Sequence, residues 1–154
     1  MIRGIHHVAM VTRNLERILR FYREGLGFEI IRDVFTASGP QFSSVVGLPE
    51  ATANVAMLRS RNLILEFFEY KAPASPSTDI RHANSMGWTH IALDVVDIDT
   101  VYHRALAAGA TFHVPPQDFG ELKSTYGRDP DGNIFEIQEL VEPQHPLQLD
   151  VLST

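Results

Sequence analysis

GIHHVAMV, residues 4–11, occurs a second time in altered form as GWTHIALD, residues 87–94, and this repeat decides the fold. The two versions place His7 and His90 83 residues apart. Each version is followed by a pattern typical of an amphipathic helix and, later, by an apolar strand with a glutamate near its centre, Glu66 in LILEFF and Glu136 in NIFEIQ. A duplicated unit that supplies one histidine and one glutamate per copy predicts a metal site with two histidine and two glutamate ligands.

Both predicted helices have start and stop signals. Their apolar residues follow the i, i+3, i+4, i+7 spacing of a helix with one buried face. Asn14 and Asp97 precede the helices, and their side-chain oxygens can accept the free backbone N–H groups of the first turn. Gly27 and Gly109 follow, where the chain must turn with a positive φ. With three strand-like segments after each helix, each copy predicts a module of the order strand, helix, three strands.

The predicted organisation is a single α+β domain over residues 1–141, built from two βαβββ modules with the helices outside. Module 1 covers residues 1–70, a linker with prolines and serines covers residues 71–86, and module 2 covers residues 87–141. Residues 142–154 form a C-terminal tail without clear periodicity.

Composition excludes several classes of function. The chain has 154 residues, of which 44% are hydrophobic and 21% are charged, as in ordinary globular domains. A net charge of −6 offers no basic surface to a phosphate backbone, so we expect no nucleic-acid partner. No apolar run reaches the roughly 20 residues of a membrane-spanning helix, and the absence of cysteine excludes thiolate chemistry. We expect a cytoplasmic protein with no signal peptide and no membrane partner.

The first module contains an insert. His7 and Glu66 are 59 residues apart, whereas His90 and Glu136 are 46 residues apart, so the first module is 13 residues longer. The additional residues fall within about residues 36–53, which contain two Gly- and Pro-rich turns. A loop enlarged in only one copy is a candidate lid or specificity element, because loops on a rigid scaffold carry binding functions.

Strand alternation supports the choice of ligands. Every second side chain of a strand shares a face, so His7 lies with Ala9, and His90 lies with Ala92. The two glutamates stand between apolar neighbours, where an isolated ionised carboxylate would be costly. A single strand histidine is usually a hydrogen-bonded structural residue, and a single strand glutamate usually faces solvent. Two matched pairs at equivalent repeat positions favour a shared cation.

The other histidines have no counterpart in the repeat. We expect His103 and His113 at the surface. We expect His6 to point to the side opposite His7, towards the helix layer. His82 lies in the linker and His145 in the tail.

These residues resemble the vicinal oxygen chelate superfamily, which includes glyoxalase I, methylmalonyl-CoA epimerase, extradiol dioxygenases and antibiotic-resistance proteins. The resemblance rests on residues 7–28, on residues 87–97, and on YGRDPDGN, residues 126–133, ahead of Glu136. It covers nearly the whole predicted domain, and the Asp-Pro-Asp-Gly turn is quite specific. The resemblance implies paired βαβββ modules whose strands curl into a mixed sheet, a cup around one divalent metal ion, and a homodimer.

The resemblance also implies a ligand set. His7, Glu66, His90 and Glu136 match all four ligand positions of the family. Glyoxalase- and epimerase-like members fill all four, whereas extradiol dioxygenases and fosfomycin-modifying members use two histidines and one glutamate. A glutamate at the second position therefore favours lyase or isomerase chemistry. Imidazole and carboxylate ligands suit Zn, Ni, Co, Mn and Fe(II) alike, so the metal stays open.

The implied reaction is proton transfer next to a metal-chelated carbonyl of a small carbonyl or thioester compound. The cation stabilises the enediolate that forms when the α-proton leaves. In glyoxalase-like relatives a ligand glutamate acts as the base, which makes Glu136 and Glu66 the catalytic candidates, ahead of Glu50 in the insert. Tyr126, ten residues before Glu136, matches a substrate-binding tyrosine of the dioxygenases.

Two further functions stay open. One is an Fe(II)-dependent extradiol-type dioxygenase that cleaves a catechol-like compound. The other is a metal-free protein that sequesters a small hydrophobic molecule. Loss of activity on chelation would exclude the sequestering protein, and oxygen consumption with iron alone would favour the dioxygenase.

Overall fold

The computed structural model describes residues 1–75, 82–142 and 145–149. The chain forms two compact units, Met1–Asp79 and Ile80–Thr154, each with its own mixed sheet. The α+β class and the two βαβββ modules are confirmed. That the modules form one domain over residues 1–141 stays a prediction, and parts of the linker and of the tail lie outside the described residues.

The first unit contains six regular elements and a π-helical turn. Its elements are β1 (Val8–Val11), α1 (Leu15–Arg20) continued by the π-helical turn Phe21–Gly25, β2 (Glu29–Ser38), α2 (Pro40–Val46), β3 (Thr52–Arg59) and β4 (Ile64–Ala72). The strands lie in the order β1-β4-β3-β2. β1 runs parallel to β4, and the other two pairs are antiparallel, so the first strand lies beside the last.

Helix α1 starts and ends as the sequence predicts. The Asn14 side chain accepts a hydrogen bond from the backbone N–H of Arg17 at 2.9 Å, and Gly27 has a φ of 76°. The helix packs on β3 and β4, and its apolar face is buried together with Leu65 and Phe67 of β4. Because side chains alternate along β4, Glu66 lies on the face away from α1.

The insert of the first unit contains a helix as well as loops. Pro40 occupies the first turn of α2, and Gly47 ends it in the left-handed conformation with a φ of 69°. The Ser43 hydroxyl accepts a hydrogen bond from the backbone N–H of Ala51 at 2.9 Å, which ties α2 to the start of β3.

The second unit repeats the order of the first, with a short additional strand, β7, in place of the insert helix. Its elements are β5 (His90–Asp94), α3 (Ile98–Ala107), β6 (Thr111–Phe112), β7 (Gln117–Asp118), β8 (Leu122–Arg128) and β9 (Ile134–Leu140). The strands lie in the order β5-β9-β8-β6, and β7 also pairs with β8. β5 runs parallel to β9, as β1 does to β4.

Local contacts cap α3 and bring β8 close to its neighbouring strands. Asp97 caps α3 as predicted, since its carboxylate accepts from the backbone N–H of Thr100 at 3.2 Å. A Cβ atom at Gly127 would lie 2.7 Å from ring atoms of both Phe112 and Phe135, so only glycine allows β8 to approach these rings.

None of the helices in the described residues is long and apolar enough to cross a membrane.

Candidate metal centre

The first unit brings His7 and Glu66 together. His7 directly precedes β1, and the parallel register sets Ala9 opposite Glu66. Because His7 and Ala9 share a face, the imidazole reaches the carboxylate of the neighbouring strand. His7 Nε2 lies 3.2 Å from Glu66 Oε2. Both side chains are partly exposed.

The second unit builds the same pair. His90 is the first residue of β5, and Ala92 lies opposite Glu136 in the parallel register. His90 Nε2 lies 3.3 Å from Glu136 Oε2. The two predicted pairs therefore form with the same atoms, the same strand arrangement and nearly the same distance.

The surroundings of the two carboxylates differ. The Ser124 hydroxyl donates a short hydrogen bond to Glu136 Oε1 from β8. The counterpart of Ser124 in the first unit is Val55, which has no polar group to offer. Among the described residues, His7 is the one side chain within hydrogen-bond or ion-pair distance of the Glu66 carboxylate. Glu136 is thus held on both oxygens, whereas Glu66 is held on one.

Two tyrosine hydroxyls lie near the pairs. Tyr126 stands opposite Glu136 across β8 and β9, and its hydroxyl is 3.5 Å from His90 Nε2. Burial, and then the charge of Glu136, raise the pKa of Tyr126 above its usual value. Burial, and then the charge of Glu66, likewise raise the pKa of Tyr70. Both phenols are therefore neutral at physiological pH and can donate hydrogen bonds.

Three aromatic rings stack beside Glu66. Phe68 and Tyr70 follow Glu66 on the same face of β4, with ring centroids 5.8 Å apart and planes 16° apart. Phe42 of α2 lies 6.4 Å from both, at 9° to Phe68 and 17° to Tyr70. The insert thus supplies an aromatic side chain that stacks on two rings of the strand face that carries Glu66, which was not predicted from the sequence.

The remaining candidates lie elsewhere. Glu50 is an exposed turn residue with a φ of 51° between α2 and β3. His103 and His113 are exposed, as predicted. His6 was predicted to point towards the helix, and this is wrong. It is exposed, and its Nδ1 lies 2.9 Å from His7 Nδ1.

The donor atoms suit a divalent transition metal. Imidazole nitrogen and carboxylate oxygen are ligands of Zn, Ni, Co, Mn and Fe(II). Two ligands about 2.1 Å from one ion and roughly 100° apart are separated by about 3.2 Å, which is close to the observed spacings. In the described part of the chain no third His, Cys, Asp or Glu joins either pair to form a larger group. Each pair therefore offers two of the four predicted ligands.

Comparison with known proteins identifies the family. A model described as the glyoxalase/bleomycin resistance protein/dioxygenase superfamily matches residues 4–137. The chain belongs to this superfamily. The resemblance seen in the repeat motifs is thereby confirmed.

One curated protein and several solved structures are similar to this chain. The 2-epi-5-epi-valiolone epimerase of Actinomyces sp. is 33% identical over 99 residues, which span 62% of this chain but only 54% of the epimerase. The structure of a glyoxalase family protein from Bacillus cereus matches with a TM-score of 0.84 at 18% identity, over 92% of this chain and 97% of that one.

A fosfomycin resistance protein variant from Listeria monocytogenes, in complex with Mn(II) and 1S,2S-dihydroxypropylphosphonic acid, matches with a TM-score of 0.61 at 20% identity, over 89% of this chain and 92% of that one. At these low identities the two structural matches establish the fold. One relative in sequence is thus named an epimerase, and one protein of similar fold forms a complex with Mn(II).

Proposed function

We propose that this chain is a divalent-metal-dependent isomerase that moves a proton on the carbon next to a ketone carbonyl, with His7, Glu66, His90 and Glu136 as the ligands of one ion. The observation that carries the proposal is the pair of equivalent His–Glu contacts, 3.2 Å in one unit and 3.3 Å in the other. The 33% identity to an epimerase whose name specifies a ketone favours isomerase over lyase chemistry.

The ion, when bound, supplies a positive charge that stabilises the negative charge developing on the carbonyl oxygen as the neighbouring proton leaves. The side chains of the protein bind and orient the substrate and transfer the proton. The geometry does not select among Zn, Ni, Co, Mn and Fe(II), since their ligand preferences overlap.

The two glutamate side chains differ in rotational freedom. This difference suits an inversion at carbon, in which a proton is removed and a proton is returned. Ser124 and His90 hold Glu136 on both oxygens, so this carboxylate keeps its orientation. Glu66 is held through one oxygen and can rotate towards the substrate. We assign one proton transfer to Glu66, whose carboxylate can rotate, and the other to Glu136, whose carboxylate keeps its orientation.

The neutral phenols bind and orient the substrate. The Tyr126 hydroxyl, 3.5 Å from His90 Nε2, can donate a hydrogen bond to a substrate oxygen next to the ligand pair. Tyr70 offers the same on the Glu66 side. The stacked rings of Phe42, Phe68 and Tyr70 provide an apolar surface for the body of the substrate.

We further propose that the active protein is a homodimer in which each site combines the first module of one copy with the second module of the other. One pair alone gives two of the four ligands, so a complete site needs a pair from each module. The face that bears His7 is also open, since Val11 on the same face is 50% exposed.

The test is metal content together with proton exchange. Protein purified without added metal and then reconstituted should hold about one divalent ion per chain. It should exchange the proton next to the carbonyl of 2-epi-5-epi-valiolone for deuterium in D₂O. Glu66→Gln and Glu136→Gln should each weaken ion binding and lower exchange by at least about 100-fold.

The matched control is Glu69→Gln, on the same strand as Glu66 but on its opposite face, where Glu69 pairs with Lys71 at 2.9 Å. It should keep both ion and exchange. Absence of any ion after reconstitution would refute the proposal. Oxygen consumption with Fe(II), unaffected by Glu66→Gln, would replace it with the dioxygenase.

A further inference from the structure

Each proposed ligand histidine has a second contact, on its other ring nitrogen, with the residue before it. The Thr89 hydroxyl oxygen lies 2.9 Å from His90 Nδ1. His6 Nδ1 lies 2.9 Å from His7 Nδ1. Positions 6 and 89 are related by the same 83-residue offset as the two histidines. The two modules therefore make the same contact with different residue types.

The chemistry of imidazole gives this contact a role. A neutral ring has one N–H, and a ring that binds a cation through Nε2 must present a lone pair there. Its hydrogen is then on Nδ1 and needs an acceptor. The Thr89 oxygen is such an acceptor for His90. The Nδ1 of His6 accepts from His7 when the hydrogen of His6 is on its own Nε2.

We propose that Thr89 and His6 are positioning residues, which fix the tautomer and the ring orientation of His90 and His7 so that each Nε2 faces the ion. This rests on the proposed function, since it takes Nε2 as the metal-binding atom. Partners of ligand histidines commonly set metal affinity by about 10–100-fold.

A purely structural role fits these two residues poorly. His6 precedes β1 and Thr89 precedes β5, so neither takes part in strand pairing. His6 is exposed, and Thr89 is half-buried. Their substitution should therefore change the histidine contact with little effect on folding, which makes the contact itself testable.

The first experiment compares Thr89→Val, which keeps the shape but removes the acceptor, with Thr89→Ser, which keeps the hydroxyl. Metal-free proteins are titrated with Zn²⁺ by calorimetry. We expect the Kd to rise about 10–100-fold in Thr89→Val and to stay near the wild-type value in Thr89→Ser. Thr111→Val, an exposed threonine on β6 of the same module, is the control and should bind as wild type.

The first module allows the same comparison with His6→Ala and His6→Asn. The asparagine oxygen can replace the lost acceptor, so His6→Asn should bind Zn²⁺ more tightly than His6→Ala. Melting temperatures of all variants identify any loss that comes from folding.

Nitrogen-15 NMR of the Zn²⁺-loaded, histidine-labelled protein reads the tautomer directly. In wild type and Thr89→Ser the hydrogen of His90 should reside on Nδ1 in slow exchange, and in Thr89→Val its signal should broaden or disappear. Equal Zn²⁺ affinity and an unchanged His90 signal in Thr89→Val would overturn this inference and leave the proposed function standing. A wild type that binds no Zn²⁺ would overturn both.

Discussion

At the scale of single residues, Asp129 closes the turn that leads into β9 and so sets the position of Glu136. Its side chain is 4% exposed and accepts hydrogen bonds at 2.9 Å from the backbone N–H groups of Asp131 and Asn133 and from the Asn133 amide. Burial raises the pKa of Asp129 above its ordinary value, and the hydrogen bonds from Asn133 and Asp131 oppose this only in part.

Asp129→Asn should therefore change how stability depends on pH. With a pKa higher in the folded than in the unfolded state, Asp129 makes the folded protein bind more protons just above pH 3.8, so wild type loses stability as pH rises through that window. An asparagine does not titrate, so the unfolding free energy of Asp129→Asn should gain on that of wild type as pH rises from about 4 towards neutrality. Urea unfolding across this range measures the difference.

The control for this prediction is Asp129→Ala. It leaves buried N–H groups without an acceptor and should lower the unfolding free energy, relative to Asp129→Asn, by about 1–3 kcal/mol throughout the range. A difference between Asp129→Asn and wild type that does not change with pH would contradict the role assigned to the buried charge.

The two His–Glu pairs were predictable from the sequence, but the residues that contact them were not. Alternation along a strand is a local property, so the faces of His7 and Glu66 follow from their own neighbours. Ser124 meets Glu136 through the register of β8 on β9, which no local pattern specifies. Likewise, no local pattern specifies the contacts of His6 with His7 and of Thr89 with His90.

At the scale of secondary structure, helix α2 is the element that was not predicted from the sequence. With seven residues, Pro40–Val46, it is too short to show helical periodicity. Its end signals were present, since proline favours the first helical turn and Gly47 the left-handed position after the last. They were read as turns because the segment between them had no recognisable apolar face.

Phe42 should show what α2 contributes. Phe42→Ala removes the ring that stacks on Phe68 and Tyr70, and should lower the unfolding free energy by about 1–3 kcal/mol, less than for a fully buried phenylalanine. Because α2 supplies no predicted ligand, Zn²⁺ affinity should stay at the wild-type value. The KM for the ketone should rise if the ring surface binds the substrate.

Val45→Ala is the matched control, since Val45 lies on the same helix and is 87% exposed. It should leave stability and KM unchanged. Calorimetric titration and urea unfolding of the two variants separate these effects. Weakened metal binding in Phe42→Ala at full stability would show that α2 supports the ligands directly.

At the scale of the whole molecule, the duplication explains why both units share one strand order. β1-β4-β3-β2 in one corresponds to β5-β9-β8-β6 in the other, with a parallel first and last strand in each. Local patterns repeated along the chain predict two such modules. The proposed site needs one His–Glu pair from each module. Local patterns carry no information on whether the two pairs come from one copy or from two, because His7 and His90 are 83 residues apart and belong to different units.

A mixing experiment decides this question. Suppose that each site combines module 1 of one copy with module 2 of another. A heterodimer of His7→Ala and His90→Ala then has one site in which both His–Glu pairs are damaged and one site in which both pairs are intact. We expect neither variant alone to bind Zn²⁺ tightly, and the refolded mixture to recover tight binding at one site per heterodimer. The matched control mixes His7→Ala with Glu66→Ala, which share a damaged first module and should recover nothing. Failure of the first mixture, with dimers shown to form, would place each site within a single chain.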